Sequence, residues 1–488
     1  MNRLRVSLVI NTSERYVTLA INFVLIALVS RILTPHDIGI AAVGATALAL
    51  IECMRDIPTT YLIQRQEIDA HDRQTAFTMM ILATVLISLS VIFTAGEIAA
   101  FYDDPAIASY LYVLTLALVP GPFERPLMAI MRREMQFSKL ALINICIVLV
   151  NAVTTIALAL AGMTYMSFAW GLFAGNVTAL VLSVAIGRQP RTYRLNLSRL
   201  RPALEIGGYA VMTDLTGKAV DLVTYLIIGR GPKLNDVGFY SRAANLSLLP
   251  EKLFVTGITH VAFPAIAEFA RQGRDIRPVL LRGLSLTSAL QFPAYAMLAI
   301  LAYPVVDVVL GSQWKEVSPI LQIFAIAGFV SITSPLVQPT YMAVGAFRDL
   351  FVVNILLFPI RISIVAAAAF GGLYWLAWSV VIRAVIAELV FLLRLRAHVR
   401  VELRDILRSL TPSLVVTLAT IAGPIGLMAY RGFDFDLSIG MSIAAMIAAA
   451  IGWLSSIFLT EHPIRNEIMT VVSFGYRKLL KTISPAAV

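Results

Sequence analysis

The chain has 488 residues, of which 59% are hydrophobic and only 14% charged, and its formal net charge is +10. Soluble domains carry about 25% charged residues and need polar groups to cover their surface, so the composition excludes a soluble globular protein. The positive charge is scattered through short segments between apolar runs. A nucleic-acid reader would gather it in one patch.

In chain order, the apolar runs predict a span over 9–33 that carries Glu14 and Arg15 a turn or two from its start. No small-residue cleavage site follows it, so it reads as an uncleaved first span. The second, over 38–64, places Glu52, Arg55 and Asp56 on one helical face. A third over 76–100 leads to Asp103-Asp104, read as a solvated turn before Pro105. The fourth, 109–131, holds Pro120 and Pro122, then Glu124 and Arg125, which are expected to reach for the headgroups. Spans over 138–161 and 164–187 complete the first half. Cys53 and Cys146 sit in apolar runs and read as core residues.

The seventh span, 204–229, sets Asp214, Lys218 and Asp221 at i, i+4 and i+7. The eighth, 238–264, carries Arg242 near one end, Glu251 and Lys252 after Pro250, and His260. Spans over 279–303 and 318–342 follow. Those over 349–370 and 372–393 bury Arg361 and Arg383, neither with an acidic residue three or four positions away. The last two spans cover 411–430 and 437–459, ahead of an amphipathic stretch read as lying on the inner leaflet. The expected fold is therefore an all-α integral membrane protein of about fourteen transmembrane helices. Alternate loops hold about 26 basic residues against about 4 on the other side, which puts both termini in the cytoplasm.

The chain also repeats itself. Arg31, Asp37, Gly39 and Glu52 match Arg230, Asp236, Gly238 and Glu251 at one constant offset. Further on, Phe137 and Asn144-Ile145 match Phe347 and Asn354-Ile355, and Ala169-Trp170 matches Ala377-Trp378. Six helices separate the copies, so the repeats run parallel. The expected organisation is one six-helix lobe over 1–190, a second over 191–400, two added helices over 401–460 and a cytoplasmic tail over 461–488. A cavity is expected between the lobes.

Charge inside hydrocarbon is costly, so buried charges pair with one another or face a cavity. The spacing of Asp214, Lys218 and Asp221, and of Glu52 and Arg55, allows either reading. Arg361 and Arg383, lacking local partners, favour a ligand. No phosphate-cradling glycine loop, nucleophile elbow or zinc spacing occurs, so no motif argues for an enzyme, a metal or a cofactor.

SRILTPHDIGI after the first span, TTYLIQRQEID closing the second and AAFYDDPAI after the third resemble a known group. So do MRREMQFSKLALI before the fifth and RLNLSRLRPALEIGGYA before the seventh. The group is the polysaccharide-transporter branch, the Wzx-like flippases, of the multidrug/oligosaccharidyl-lipid/polysaccharide exporter superfamily. The resemblance implies a bacterial inner-membrane protein that moves undecaprenyl-pyrophosphate-linked oligosaccharide outward for exopolysaccharide, O-antigen or capsule assembly. The partners are then the lipid-linked glycan, the bilayer and the polymerase and export machinery, with no nucleic acid. A pyrophosphate favours arginine and lysine at the cavity wall. Arg15, Arg55, Lys218, Arg242, Arg361 and Arg383 are the candidate anion contacts, and Glu52, Asp214, Asp221 and Glu251 the candidates for ion or proton coupling. A drug or organic-cation antiporter of the same superfamily, and a membrane enzyme or scaffold of glycan assembly, are the competing readings.

Overall fold

The structure, a computed structural model, describes all residues except 1, 66, 188–192, 231–233, 256–265, 431, 434 and 471–488. Lipid offers no partner for a free N–H or C=O, so an apolar run must satisfy its own backbone as helix. In chain order the helices are α1 (Asn2–Ile32), α2 (Pro35–Gln64), α3 (Ala70–Tyr102), α4 (Ala106–Leu118), α5 (Gly121–Arg133) and α6 (Phe137–Leu160). Next come α7 (Met166–Gly187), α8 (Leu200–Gly229), α9 (Leu234–Ser247), α10 (Arg277–Ile300), α11 (Ala302–Val309) and α12 (Val317–Val330). The last are α13 (Ser334–Ala343), α14 (Phe347–Ala369), α15 (Leu373–Val399), α16 (Leu403–Tyr430) and α17 (Ile439–Leu459). Among the described residues eleven helices are long and apolar enough to cross a membrane, and α4 with α5, bent by 47°, makes a twelfth. The chain is an all-α, multi-pass membrane protein.

Two expected spans stand outside that set. One contains α8, whose 30 residues include Asp214, Lys218 and Asp221. In the other, α9 stops at Ser247 and a π turn follows at Glu251–Val255. The rest of that span, with His260, lies outside the described residues. So does most of the expected tail.

The chain divides into two compact units. The first comprises Met1–Arg242, Val309–Val317 and Phe351–Ser379, and the second Ala243–Val308, Ser318–Leu350 and Val380–Val488. In the first, α2 starts cleanly: Pro35 opens it, and the Thr34 and Asp37 side chains cap each other's backbone N–H. α2 packs along α8, α6 against α7 and α1.

The sequence repeat reappears here as a contact. A Cβ on Gly39 would strike the Leu234 carbonyl, and one on Gly238 would strike the Pro35 carbonyl. Leu234 stands to Pro35 as Gly238 stands to Gly39 in the repeat, so the contact is reciprocal. Only glycine lets two backbones approach this closely.

In the second unit, α10 packs on α16, which packs on α17. Ser288 and Ser413 hydroxyls meet at 2.7 Å, and Trp453 donates its indole N–H to the Ala289 carbonyl at 2.9 Å. Glu388 of α15 is buried and accepts from the Thr333 hydroxyl and from the hydroxyl and N–H of Ser334. It thereby caps the first turn of α13, where the span over α12 and α13 is interrupted.

Beyond α17, His462 is buried. Its Nδ1 accepts the Ile464 N–H at 3.2 Å, which leaves Nε2 to donate to Ser413 Oγ at 3.0 Å. Ile464 and Ile468 pack beside it on Ala289, Val416 and Ile457. Burial lowers the imidazole pKa below its ordinary value near 6.5. The neutral ring belongs to the folded state, so its contribution is present at neutral pH and is lost as pH falls below about 6.5. Acidification from pH 7.5 to 5.5 is therefore expected to speed proteolysis after α17, and His462→Gln to flatten that response. A rate indifferent to pH in the native protein would refute this.

Candidate functional site

The site grows out of a broken helix. Pro122 has no N–H to give the Leu118 carbonyl four residues earlier, so α4 ends there and its last carbonyls are left over. Asn176 of α7 donates to the Ala117 carbonyl at 2.7 Å, and Arg55 of α2 donates to the Leu118 carbonyl at 3.1 Å. Arg55 is only 1% exposed, and its other terminal nitrogen reaches Glu52 at 2.9 Å. Gly121 makes this possible, because any Cβ there would occupy the place of the guanidinium.

The bend turns the first turn of α5 toward α2. Arg125 pairs with Glu52 and, at 3.3 Å, with Asp56. Glu124 is 5% exposed, and one of its carboxylate oxygens is buried with no hydrogen-bond partner. The expectation that Glu124 and Arg125 reach for the headgroups is thus corrected: one is buried and the other paired. Beside them lies a cavity of about 240 Å³ lined by Asp56, Thr59, Glu124, Arg125, Met128, Ala129, Arg132 and Ile147. The buried Thr59 hydroxyl also has no partner.

α8 completes the cluster. Its Asp214, Lys218 and Asp221 are exposed. Asp214 and Lys218 lie close enough for their charges to be felt at Cys53, and Asp214 also at Asp56. Four expected residues therefore gather in one place: Glu52, Arg55, Asp214 and Lys218. The connection entering α8 is itself tied down. Tyr193 packs edge-on to Phe77, and the Asn196 N–H reaches the Thr78 hydroxyl at 2.8 Å. At the same edge Asp69 and Asp72 cap each other, and the Asp72 N–H holds the Asp69 carboxyl below its usual range.

The other expected residues lie elsewhere. Arg242, one turn beyond Gly238, is buried 5.9 Å from the Trp314 ring, with Nε and one terminal nitrogen unpartnered. Arg15 is exposed on α1 and Arg361 half-buried on α14, both in the first unit; Arg383, half-buried on α15, and Glu251, exposed in the π turn, belong to the second. Sequence reasoning passed over Glu124, Arg125, Arg132 and Thr59 as site residues. The available signal was Pro-Gly-Pro directly before Phe-Glu-Arg, which turns the following charges away from the axis of the preceding helix.

Residues 28–319 match the family described as polysaccharide biosynthesis protein. The lipopolysaccharide biosynthesis protein WzxC of Escherichia coli K12 is 23% identical over 326 residues, 66% of each chain. The succinoglycan biosynthesis transport protein ExoT of Rhizobium meliloti is 24% identical over 340 residues, 68% of each. The chain thus matches about two thirds of the length of these relatives. In fold, it resembles the lipid II flippase MurJ in an inward closed conformation, with a TM-score of 0.74 at 13% identity, covering 94% of this chain and all of that one. An inward-facing multidrug transporter of the MATE family gives 0.62 at 12% identity, over 80% of this chain and 98% of the other. The chain belongs to the polysaccharide biosynthesis protein family.

Proposed function

We propose that this protein is a flippase that carries polyprenyl-pyrophosphate-linked oligosaccharide across the bacterial inner membrane, with both termini cytoplasmic, and that it is a carrier rather than an enzyme. The observation that carries this reading is the gathering of mixed charge from α2, α5 and α8 in a chain only 14% charged. Charge inside a membrane pairs with opposite charge or faces a cavity, and this cluster does both: Arg55 and Arg125 pair with Glu52, while Asp56, Glu124, Arg125 and Arg132 line the cavity. The family and the relatives named for polysaccharide assembly supply the substrate class. An organic-cation antiporter would need a net acidic site, whereas Arg55, Arg125 and Lys218 here balance Glu52, Asp56 and Asp214.

Within that reading the roles divide by exposure. Arg55 is only 1% exposed, with one terminal nitrogen on Glu52, the other on the Leu118 carbonyl and its Nε buried without a partner, so it positions the others. Arg125, 24% exposed although it pairs with Glu52 and Asp56, and the exposed Lys218 are the anion contacts of choice. Glu52 and Asp214 remain the coupling candidates in this cluster.

The test is the sidedness of labelled lipid-linked repeat units in cells lacking the gene. Repeat units should accumulate protected from a lectin added outside spheroplasts, and surface polysaccharide should be lost. Normal exposure to the lectin would end the claim.

A further inference from the structure

We infer that the cavity between Thr59 and Glu124 is a subsite for one uncharged sugar ring of the transported head group. Its lining decides the ligand class. A phosphate placed there would meet Asp56 and Glu124, and a metal or ammonium ion would meet Arg125 and Arg132. The charges balance, which leaves a neutral polyol as the ligand able to use both signs. Hydroxyl groups donate and accept at once, so a ring of them can give hydrogens to the carboxylates and take them from the guanidinium groups.

Two buried polar groups point the same way. The free oxygen of Glu124 needs a donor, and the Thr59 hydroxyl needs any partner. Buried polar groups are ordinarily satisfied, and exceptions call for a reason. A sugar hydroxyl bridging toward both would satisfy them. The remaining wall, Met128, Ala129 and Ile147, is apolar and suits the C–H face of a pyranose. The size agrees: a cavity of about 150 Å³ holds one benzene ring, and about 240 Å³ leaves room for a substituted six-membered ring.

This subsite rests on the flippase reading for the carrier of the sugar, but its test does not. The full-length protein in lipid nanodiscs is titrated with the methyl glycosides of glucose, galactose, mannose, rhamnose and N-acetylglucosamine. Inorganic pyrophosphate and sodium chloride serve as charged controls. Binding is read by melting temperature and by saturation-transfer NMR. At least one glycoside should bind in the millimolar range, and Thr59→Val and Glu124→Met should each weaken it at least tenfold. Both variants, unliganded, should melt at or above the native protein, because each removes an unpartnered buried group; a merely structural pair would melt lower. The inference is overturned if no glycoside binds, if the variants bind as well as the native protein, or if pyrophosphate depends on the same two residues. Glycoside binding by a protein whose loss leaves repeat units normally exposed would sink the flippase reading and keep the subsite. Loss of export with no glycoside binding would do the reverse.

Discussion

Gly39→Ala and Gly238→Ala are each expected to cut glycan export more than tenfold while the protein still inserts and purifies as a single species. Each residue faces the position four before its own repeat partner across a reciprocal contact, and the groups a new Cβ would meet are the backbone carbonyls of Leu234 and Pro35. A side chain could rotate away; a carbonyl inside a helix cannot. Adding a methyl group where packing is complete costs typically 1–3 kcal/mol. Here that cost falls on the conformation in which α2 and α9 cross. Every 1.4 kcal/mol shifts a two-state balance tenfold, so a carrier that must pass through the crossed state loses most of its cycle. Gly96→Ala is the control. Gly96 lies on α3 with nothing within 4 Å of its Cβ position, and alanine there favours the helix by up to about 1 kcal/mol. Spin labels on α2 and α9 should report a longer distance in Gly39→Ala and no change in Gly96→Ala. Equal export by all three variants would remove the crossing from the mechanism.

The helices were legible because lipid forces an apolar run to close its own hydrogen bonds. The crossing was half legible: Gly39 and Gly238 stood out as repeat partners, but nothing in the letters said that their backbones touch. The face of α2 was legible from its spacing, and Glu52 and Arg55 pair as that spacing allows. What the letters concealed is the second partner of Arg55. It is a carbonyl, and a backbone acceptor has no residue type by which it could be recognised. Glu388 was hidden for a similar reason, since it is satisfied by Thr333 and Ser334 some 55 positions away rather than by any charge. The prolines at 120 and 122 are plain in the fourth span. Their consequence, two charges of α5 brought to bear on α2, depended on a 47° bend whose direction no periodicity gives.

Gly121→Ala is expected to destabilise the fold about as much as removal of Arg55 itself, by about 3–5 kcal/mol, the usual cost of breaking a buried charged pair from one side. The new methyl would displace the guanidinium, strand the Leu118 carbonyl and leave Glu52 with Arg125 alone. The decisive measurement is a double-mutant cycle with Arg55→Met, read by denaturant or thermal unfolding. If Gly121 serves only to make room for Arg55, then Gly121→Ala should cost less than about 1 kcal/mol once Arg55 is gone, because alanine is the better helix former. The coupling would then exceed about 2 kcal/mol, well beyond the 0.3–0.5 kcal/mol scatter of independent sites. Additive costs would show that the glycine serves the bend and not the arginine. Coupled costs carry a functional corollary: Arg55 holds Glu52 and Glu52 holds Arg125, so Arg55→Met and Glu52→Gln should impair export alike, through an arginine that neither replacement touches.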